Sequence, residues 1–366
     1  MEKTFFDYIS SADSEKTHSQ TIGWIFSKNC QALTQEDKSK FLQDITKSTC
    51  KFNIQNSLVE INDIDILIIC EDALVVIENK IKATESKSQL GKYFDIVENG
   101  ALSYLKENRR RFYIYLTLFE ENSSQENYID HNYGTMHLKI NGLLKKPDTP
   151  SRDYFILKDY LKTIDQLTRS INFIENSKDI RKWVFENSKT KKENQTIVDN
   201  SISDEIKYII SNGLVRQMQK YYFKKVKDNL SLDTKYFNIY YGSSANNGEG
   251  LIQINFLKYQ YEHNSTDFQI GYQIQGSVVK INTASKDYNN SKPEDMHPQI
   301  KFHMEDLKSS VKFRSRNPPM TKAYYSISKF LPNKVYEYSP KELAEYIETE
   351  IKGIEESIEQ LWEKLK

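Results

Sequence analysis

Two β-rich runs early in the chain constrain the fold most. Residues Ile61–Cys70 begin with alternating Ile and Asp and end in a continuous apolar run, and Leu74–Ile81 is a second run rich in β-branched residues. Only the short acidic segment Glu71-Asp72-Ala73 separates them. Runs of this length on either side of a turn are typical of a β-hairpin, and an unbroken apolar run indicates a strand buried on both faces. The sequence therefore predicts a hairpin inside a covered sheet.

Helical and extended patterns alternate around this hairpin. Apolar residues recur at helical spacing in Thr17–Phe26, Lys38–Ile45, Ser86–Val97 and Tyr154–Leu167, and Arg111–Leu118 is a further β-rich run. The order helix, hairpin, helix, strand, helix predicts an α/β core in which a mixed sheet is flanked by helices.

The second half of the chain changes character. Residues 236–283 alternate between apolar and polar, which predicts an α+β region rich in antiparallel strands, and a charged amphipathic helix is expected from Pro340. The length of 366 residues suits two domains. We predict a core over residues 1–187, a polar linker or domain shift over 188–203, and a recognition or partner-binding region over 204–366.

Composition narrows the class of protein. The 51 basic and 51 acidic residues balance, which argues against a general basic coat for nucleic acid but allows a local basic groove. The three cysteines form no C-x-x-C pair, so neither a zinc site built on cysteines nor a disulfide framework is expected. No apolar run of 18 residues and no secretory pattern occurs. These features predict a cytoplasmic protein without a membrane partner.

Charged residues interrupt both strands of the hairpin. Asp63 and Asp65 lie in the first run, and Glu78 and Lys80 lie in the second. Residues two apart on a strand share a face, so each pair is expected to project together. Burying an unpaired charge is costly, and two carboxylates beside an ammonium form a site for a hard divalent cation such as Mg²⁺. Such a site can activate water near a phosphodiester.

These residues resemble a known family. The pattern Asp65-(x12)-Glu78-Asn79-Lys80 is similar to the signature of the PD-(D/E)XK nuclease superfamily, in which an acid, a hairpin and (D/E)-x-K follow one another. Ile64 replaces the Pro that usually precedes the first acid. The resemblance implies a restriction-endonuclease-like core.

Two further motifs extend this resemblance over about residues 10–170. Gln89 and Tyr93 resemble the Q-x-x-x-Y motif of bacterial PD-(D/E)XK families, which RecB-like nucleases share. Upstream, Glu15 and His18 belong to an E-x-x-H-S sequence that is similar to the start of those families.

The resemblance implies a role for each residue. Asp65 and Glu78 would bind Mg²⁺ or Mn²⁺ together with the main-chain carbonyl of Asn79, and Glu15 would complete or orient the metal site. Lys80 would position or activate the attacking water. The residues expected to bind substrate or to support the site are Gln89, Tyr93 and His18. Asp63 is the alternative to Asp65 as the first acid, although the apolar run that follows Asp65 favours the latter.

The expected function is a metal-dependent nuclease, with DNA as the favoured substrate and a role in bacterial defence, restriction or repair. Two alternatives stay open: a non-catalytic module that binds nucleic acid or protein on the same fold, and an RNase with the same metal chemistry. The long C-terminal helix is compatible with a homo-oligomer or an activating protein partner. His297 and His303 flank an acidic loop, for which a solvated surface is favoured over a second metal site.

Overall fold

The computed structural model describes residues 2–83, 89–99, 102, 109–186, 202–243, 249–287, 290–315 and 322–366. It divides into two compact units. The first comprises Met1–Ile171 and Asp199–Leu214, and the second comprises Asn172–Val198 and Val215–Lys366. Most of the segment predicted as a linker, residues 188–203, lies outside the described residues.

Several helices begin at recognisable capping residues. The Ser14 side chain accepts a hydrogen bond from the backbone N–H of Thr17, and Ser339 forms a capping box with Glu342 just before Pro340. The described helices are α1 Phe5–Tyr8, α2 Glu15–Phe26, α3 Gln35–Thr46, α4 Gln89–Asn99, α5 Tyr133–Leu143, α6 Arg152–Asn176, α7 Lys178–Glu186, α8 Asp204–Ser211, α9 Val215–Asn229, α10 Ile300–Val311 and α11 Pro340–Leu365.

The first unit contains a five-stranded mixed sheet. Its strands, which are also neighbours in space in this order, are β1 Ile54–Ile61, β2 Ile64–Cys70, β3 Ala73–Lys80, β4 Arg110–Thr117 and β5 Tyr128–Asn132. The pairs β1–β2 and β2–β3 are antiparallel, whereas β3–β4 and β4–β5 are parallel. The predicted fold class, a mixed sheet flanked by helices, is confirmed.

Both faces of this sheet are covered. On one face Leu74 and Val76 of β3 belong to a buried cluster with Leu90 and Tyr93 of α4. On the other face Ile77 packs beside residues of α2, α3 and α5. Every residue of β3 is consequently buried. A charged side chain on β3 must therefore find a partner within the protein or a ligand.

The structure corrects the extent of the first predicted strand. The run Ile61–Cys70 is not one strand, because Asn62 and Asp63 form a turn with φ of 49° and 68° between β1 and β2. Asn and Asp tolerate this left-handed conformation better than most residues. The alternation of Ile and Asp predicts that Asp63 and Asp65 share a strand face. This prediction is wrong, because Asp63 lies in the turn before β2.

The second unit contains an antiparallel sheet of six strands, as expected for this region. The strands are β6 Phe237–Ser243, β7 Gly250–His263, β8 Thr266–Gln275, β9 Val278–Ser285, β10 Arg314–Ser315 and β11 Tyr324–Phe330. Their spatial order is β10-β11-β9-β8-β7-β6. Its fully buried residues include Ile254, Tyr272, Ile281 and Ile327. Helix α9 contacts β6 and β7, and α11 contacts β7 and β8. Within the described residues, no helix combines the length and apolar character needed to cross a bilayer.

Candidate active site

The register of the hairpin brings two carboxylates together. Ile66 pairs with Ile77 in the β2–β3 ladder, so one further step places Asp65 opposite Glu78. The backbone N–H of Asn79 donates to Oδ2 of Asp65 at 2.8 Å. Cross-strand neighbours share a face of the sheet, which sets both acids at the carboxyl end of β3.

Glu78 is the most enclosed of the predicted site residues that carry a charge. Its side chain is 1 % exposed, and Nζ of Lys80 lies 2.5 Å from its Oε1. Gln89 Nε2 donates to the same oxygen at 3.0 Å. The second oxygen, Oε2, is buried and has no hydrogen-bond partner among the described residues. A buried oxygen left unpaired is unfavourable, so Oε2 is a candidate ligand for a cation.

Burial sets the protonation of this cluster. Burial and the neighbouring Asp65 raise the pKa of Glu78 to about 8, while Lys80 partly opposes the rise. Burial also raises the pKa of Asp65. Burial alone would lower the pKa of Lys80, but the Glu78 and Asp65 carboxylates outweigh it and raise that pKa. Lys80 is therefore an ammonium at neutral pH, and the two carboxyl groups share this single cation; a bound divalent ion would favour their ionised forms.

The donor set fits a hard divalent ion in its chemistry. Asp65 and Glu78 supply carboxylates, and the chain at Asn79 can add a carbonyl oxygen; Mg²⁺ and Mn²⁺ favour such oxygen ligands. As the side chains stand, no group of three or more His, Cys, Asp or Glu residues in the described part of the chain is arranged as a metal site. The fit therefore rests on the unpaired Oε2 of Glu78 and on the type of donors.

Glu15 holds the turn that follows β3. Its Oε1 accepts hydrogen bonds from three consecutive backbone N–H groups, those of Ile81, Lys82 and Ala83, at 2.9, 2.9 and 2.8 Å. Its negative charge also acts on Asp65 and Lys80. Glu15 thus fixes the end of β3 from the first turn of α2, next to the acidic cluster.

Asn79 has a supporting role that the sequence analysis did not find. Its Nδ2 donates to the Glu15 carbonyl at 2.9 Å and to Ser19 Oγ at 3.0 Å. The Tyr133 hydroxyl donates to Asn79 Oδ1 at 2.6 Å. All these contacts are made by the face of β3 opposite Glu78 and Lys80. An amide on the otherwise apolar face of β3 was the available signal for this network, because buried amides need several partners.

Gln89 and Tyr93 act together at the other face. Gln89 Nε2 donates to the Tyr93 hydroxyl at 2.7 Å as well as to Glu78. Their spacing of four residues places them on one side of α4. The structure brings both residues to the carboxylate cluster, whereas Asp63 is exposed in its turn and forms an ion pair with Lys92.

His18 is a buried residue of α2. It is 1 % exposed, and its Nε2 lies 2.7 Å from the Ala12 carbonyl, while its Nδ1 lies 3.0 Å from the Tyr160 hydroxyl. A carbonyl accepts only, so Nε2 carries the proton and Nδ1 accepts from Tyr160. Burial lowers the pKa of His18 to about 4 despite the Ala12 carbonyl, Asp13 and Glu15. In this position His18 supports α2.

The buried neutral imidazole of His18 predicts an acid-sensitive contribution to stability. In unfolded chains His18 takes up a proton near its usual pKa of 6.5, but the folded protein resists protonation down to about pH 4. Stability is therefore lost as the pH falls through this window. Between pH 7.5 and pH 5, the free energy of unfolding of wild type should fall by roughly 2 kcal/mol more than that of His18→Gln.

Urea unfolding at the two pH values measures this difference. His137→Gln is the matched control, because His137 is only partly buried and should change the pH dependence less. Equal pH dependence in wild type and His18→Gln would contradict the assignment of a neutral His18.

A family comparison agrees with the residues assembled here. The model of the PD-(D/E)XK nuclease superfamily matches residues 3–196, more than half of the chain. The chain belongs to the PD-(D/E)XK nuclease superfamily, whose members generally use divalent metal ions. No match was found among curated proteins or among solved structures.

Proposed function

We propose that the chain is a nuclease that hydrolyses phosphodiester bonds of DNA with Mg²⁺ or Mn²⁺. One observation carries the proposal: Asp65, Glu78 and Lys80 lie together at the end of β3, and one buried oxygen of Glu78 has no partner among the described residues. A buried group of two acids and one ammonium is expensive to maintain for structure alone.

Asp65, Glu78 and the carbonyl of Asn79 would hold the ion, and Glu15 would complete or orient this set. A bound divalent ion would act as a Lewis acid that stabilises charge on the phosphate and on the leaving oxygen. The protein's own contribution is to hold these donors rigidly, because preorganised groups need little rearrangement during the reaction.

Lys80 would orient the attacking water and stabilise negative charge on the phosphate. Its ammonium is held beside Glu78, and its raised pKa keeps it charged at neutral pH. It therefore acts through its positive charge and its N–H groups. Gln89 and Tyr93 would keep Glu78 in place and contact the substrate backbone, and His18 would support the helix that carries Glu15.

DNA is the favoured substrate because Gln89 and Tyr93 resemble the Q-x-x-x-Y motif that RecB-like nucleases share. We further propose a cytoplasmic role in bacterial defence, restriction or repair. The second unit would recognise the substrate or a protein partner, with a homo-oligomer as one form of such an assembly. RNA differs from DNA in the 2′-hydroxyl, so the substrate test must include it.

A cleavage assay on four substrates tests the proposal. Supercoiled plasmid, linear duplex, single-stranded DNA and RNA are incubated with wild type or Glu78→Ala in Mg²⁺, in Mn²⁺ and in excess chelator. We expect wild type to cut DNA only with metal, and Glu78→Ala to cut none of the substrates. Cleavage of RNA alone would replace the DNA assignment with an RNase.

The absence of cleavage is also informative when metal binding is measured in parallel. If neither protein cuts and Mn²⁺ shifts the melting temperature of neither, the proposal is wrong and a non-catalytic binding module takes its place. The test is made on the full chain, so that the second unit is present.

A further inference from the structure

Three of the six histidines of the chain lie next to one another in the second unit. His263 is the last residue of β7, His297 precedes α10, and His303 lies in the first turns of α10. The ring centroid of His297 is 5.1 Å from that of His263 and 6.0 Å from that of His303. We call these three residues the histidine cluster. The sequence placed His297 and His303 around one loop, and the fold brings His263 next to them.

The His263–His297 separation matches that of two imidazoles that share one metal ion, and the His297–His303 separation is longer. A Zn–N bond is about 2.0–2.1 Å long, which puts two ring centroids at a tetrahedral ion roughly 5 Å apart. As the rings stand, no three His, Cys, Asp or Glu side chains of the described residues are arranged to hold a metal. Binding of one ion would therefore require the rings to turn about their side-chain bonds until three nitrogens aim at one point.

Ring nitrogens of the cluster are available for a ligand. His303 is 9 % exposed, and its Nδ1 is buried without a hydrogen-bond partner in the described part of the chain. Nδ1 of His297 accepts from the backbone N–H of Gln299 at 3.2 Å, which leaves its Nε2. His263 and His297 are both partly exposed, so an ion has access from solvent.

We propose that the histidine cluster binds one divalent transition-metal ion of the class that prefers imidazole, such as Zn²⁺. Mg²⁺ favours oxygen ligands and would be excluded. The ion would join the end of β7 to the start of α10, and three protein ligands would leave one position for water. This site differs from the carboxylate site of the first unit in its ligand atoms and in its metal.

Zn²⁺ binding to the untagged full-length protein tests the proposal. Millimolar Mg²⁺ is present throughout to occupy the oxygen-donor site. Wild type is compared with the double variant His263→Ala/His297→Ala, and His137→Ala is the control histidine from the first unit. We expect wild type and His137→Ala to bind one Zn²⁺ per chain more than the double variant, as measured by calorimetry and by metal content after dialysis. Each single variant should weaken binding at least about tenfold, since even indirect supports of metal ligands have effects of this size.

A spectroscopic measurement on wild type keeps the proposal falsifiable if the double variant does not fold. Co²⁺ bound by four ligands absorbs in the visible range, and we expect such bands to appear in wild type and to be displaced by Zn²⁺. The proposal is wrong if wild type shows no such bands, or if a folded double variant binds Zn²⁺ with the same stoichiometry and affinity. Neither result depends on nuclease activity.

Discussion

Lys80→Ala should lower the rate of cleavage by roughly 10²–10³-fold while the affinity for Mg²⁺ stays close to that of wild type. The loss follows because removal of one preorganised group that stabilises developing charge costs about this much. The affinity for metal persists because Lys80 is not one of the proposed metal ligands, and the ligands Asp65 and Glu78 are unchanged in this variant. Single-turnover cleavage at saturating Mg²⁺, together with Mg²⁺ titration by calorimetry, separates the two effects.

Lys92→Ala is the matched control for this variant. Lys92 also forms an ion pair with a carboxylate, that of Asp63, but both partners are exposed at the surface. We expect wild-type cleavage from Lys92→Ala and from Asp63→Asn. Equal losses in Lys80→Ala and Lys92→Ala would show that the reaction responds to general charge near the substrate, and the assignment of Lys80 would fail.

Glu78→Gln should make the metal-free protein more stable above pH 8, by a few kcal/mol. In the folded protein the pKa of Glu78 is raised from its usual 4.5 to about 8. Between these values the folded state holds a proton that the unfolded state has released, so stability is lost as the pH rises through this window. The full interval corresponds to roughly 5 kcal/mol, and relaxation around the charged group reduces it. Gln keeps the shape and cannot ionise.

Urea unfolding in chelator at pH 5 and pH 8.5 tests this result. The two proteins should have similar pH dependence below about pH 5 and should diverge above it. Glu71→Gln, which removes an exposed carboxylate, should follow wild type. Added Mg²⁺ should narrow the difference in stability between the two proteins. Metal binding stabilises the folded state, and wild type, which retains the Glu78 carboxylate, should gain more from it than Glu78→Gln. If the stability of wild type rises relative to that of Glu78→Gln between pH 5 and pH 8.5, the assignment of a raised pKa to Glu78 is wrong.

The central part of the fold could be predicted from the sequence, whereas its edges could not. Strands β2 and β3 are rich in apolar β-branched residues and β4 in aromatic residues, because all three lie inside the sheet, and this composition is visible in their sequences. The edge strand β1, Ile54–Ile61, mixes exposed and half-buried residues, so its alternation is weak. Strand β5 is only five residues long, and α5 includes Gly134 and Gly142, which weaken a helical pattern.

The candidate site likewise has residues that could be predicted from the sequence and residues that could not. Asp65, Glu78 and Lys80 stand out because charge is rare within buried strands. The choice between Asp65 and Asp63 depends on where the turn falls, and the structure places Asp63 in it. The partners of Asn79 could not be predicted, because Tyr133 lies 54 residues away in the chain and only the parallel strands β4 and β5 bring it to that face.

The hydrogen bonds of Asn79 divide the site into two sides that can be altered separately. Substrate and metal would bind on the face of β3 that carries Glu78 and Lys80. Ser19 and Tyr133 form hydrogen bonds with Asn79 on the opposite face of the same strand. Small changes behind the strand, such as Tyr133→Phe, could shift the carbonyl of Asn79 by fractions of an ångström without touching the path of the nucleic acid. Under the proposed function the rear network would therefore tune metal preference, and directed evolution of altered ion usage would find it a more permissive target than the reacting groups themselves.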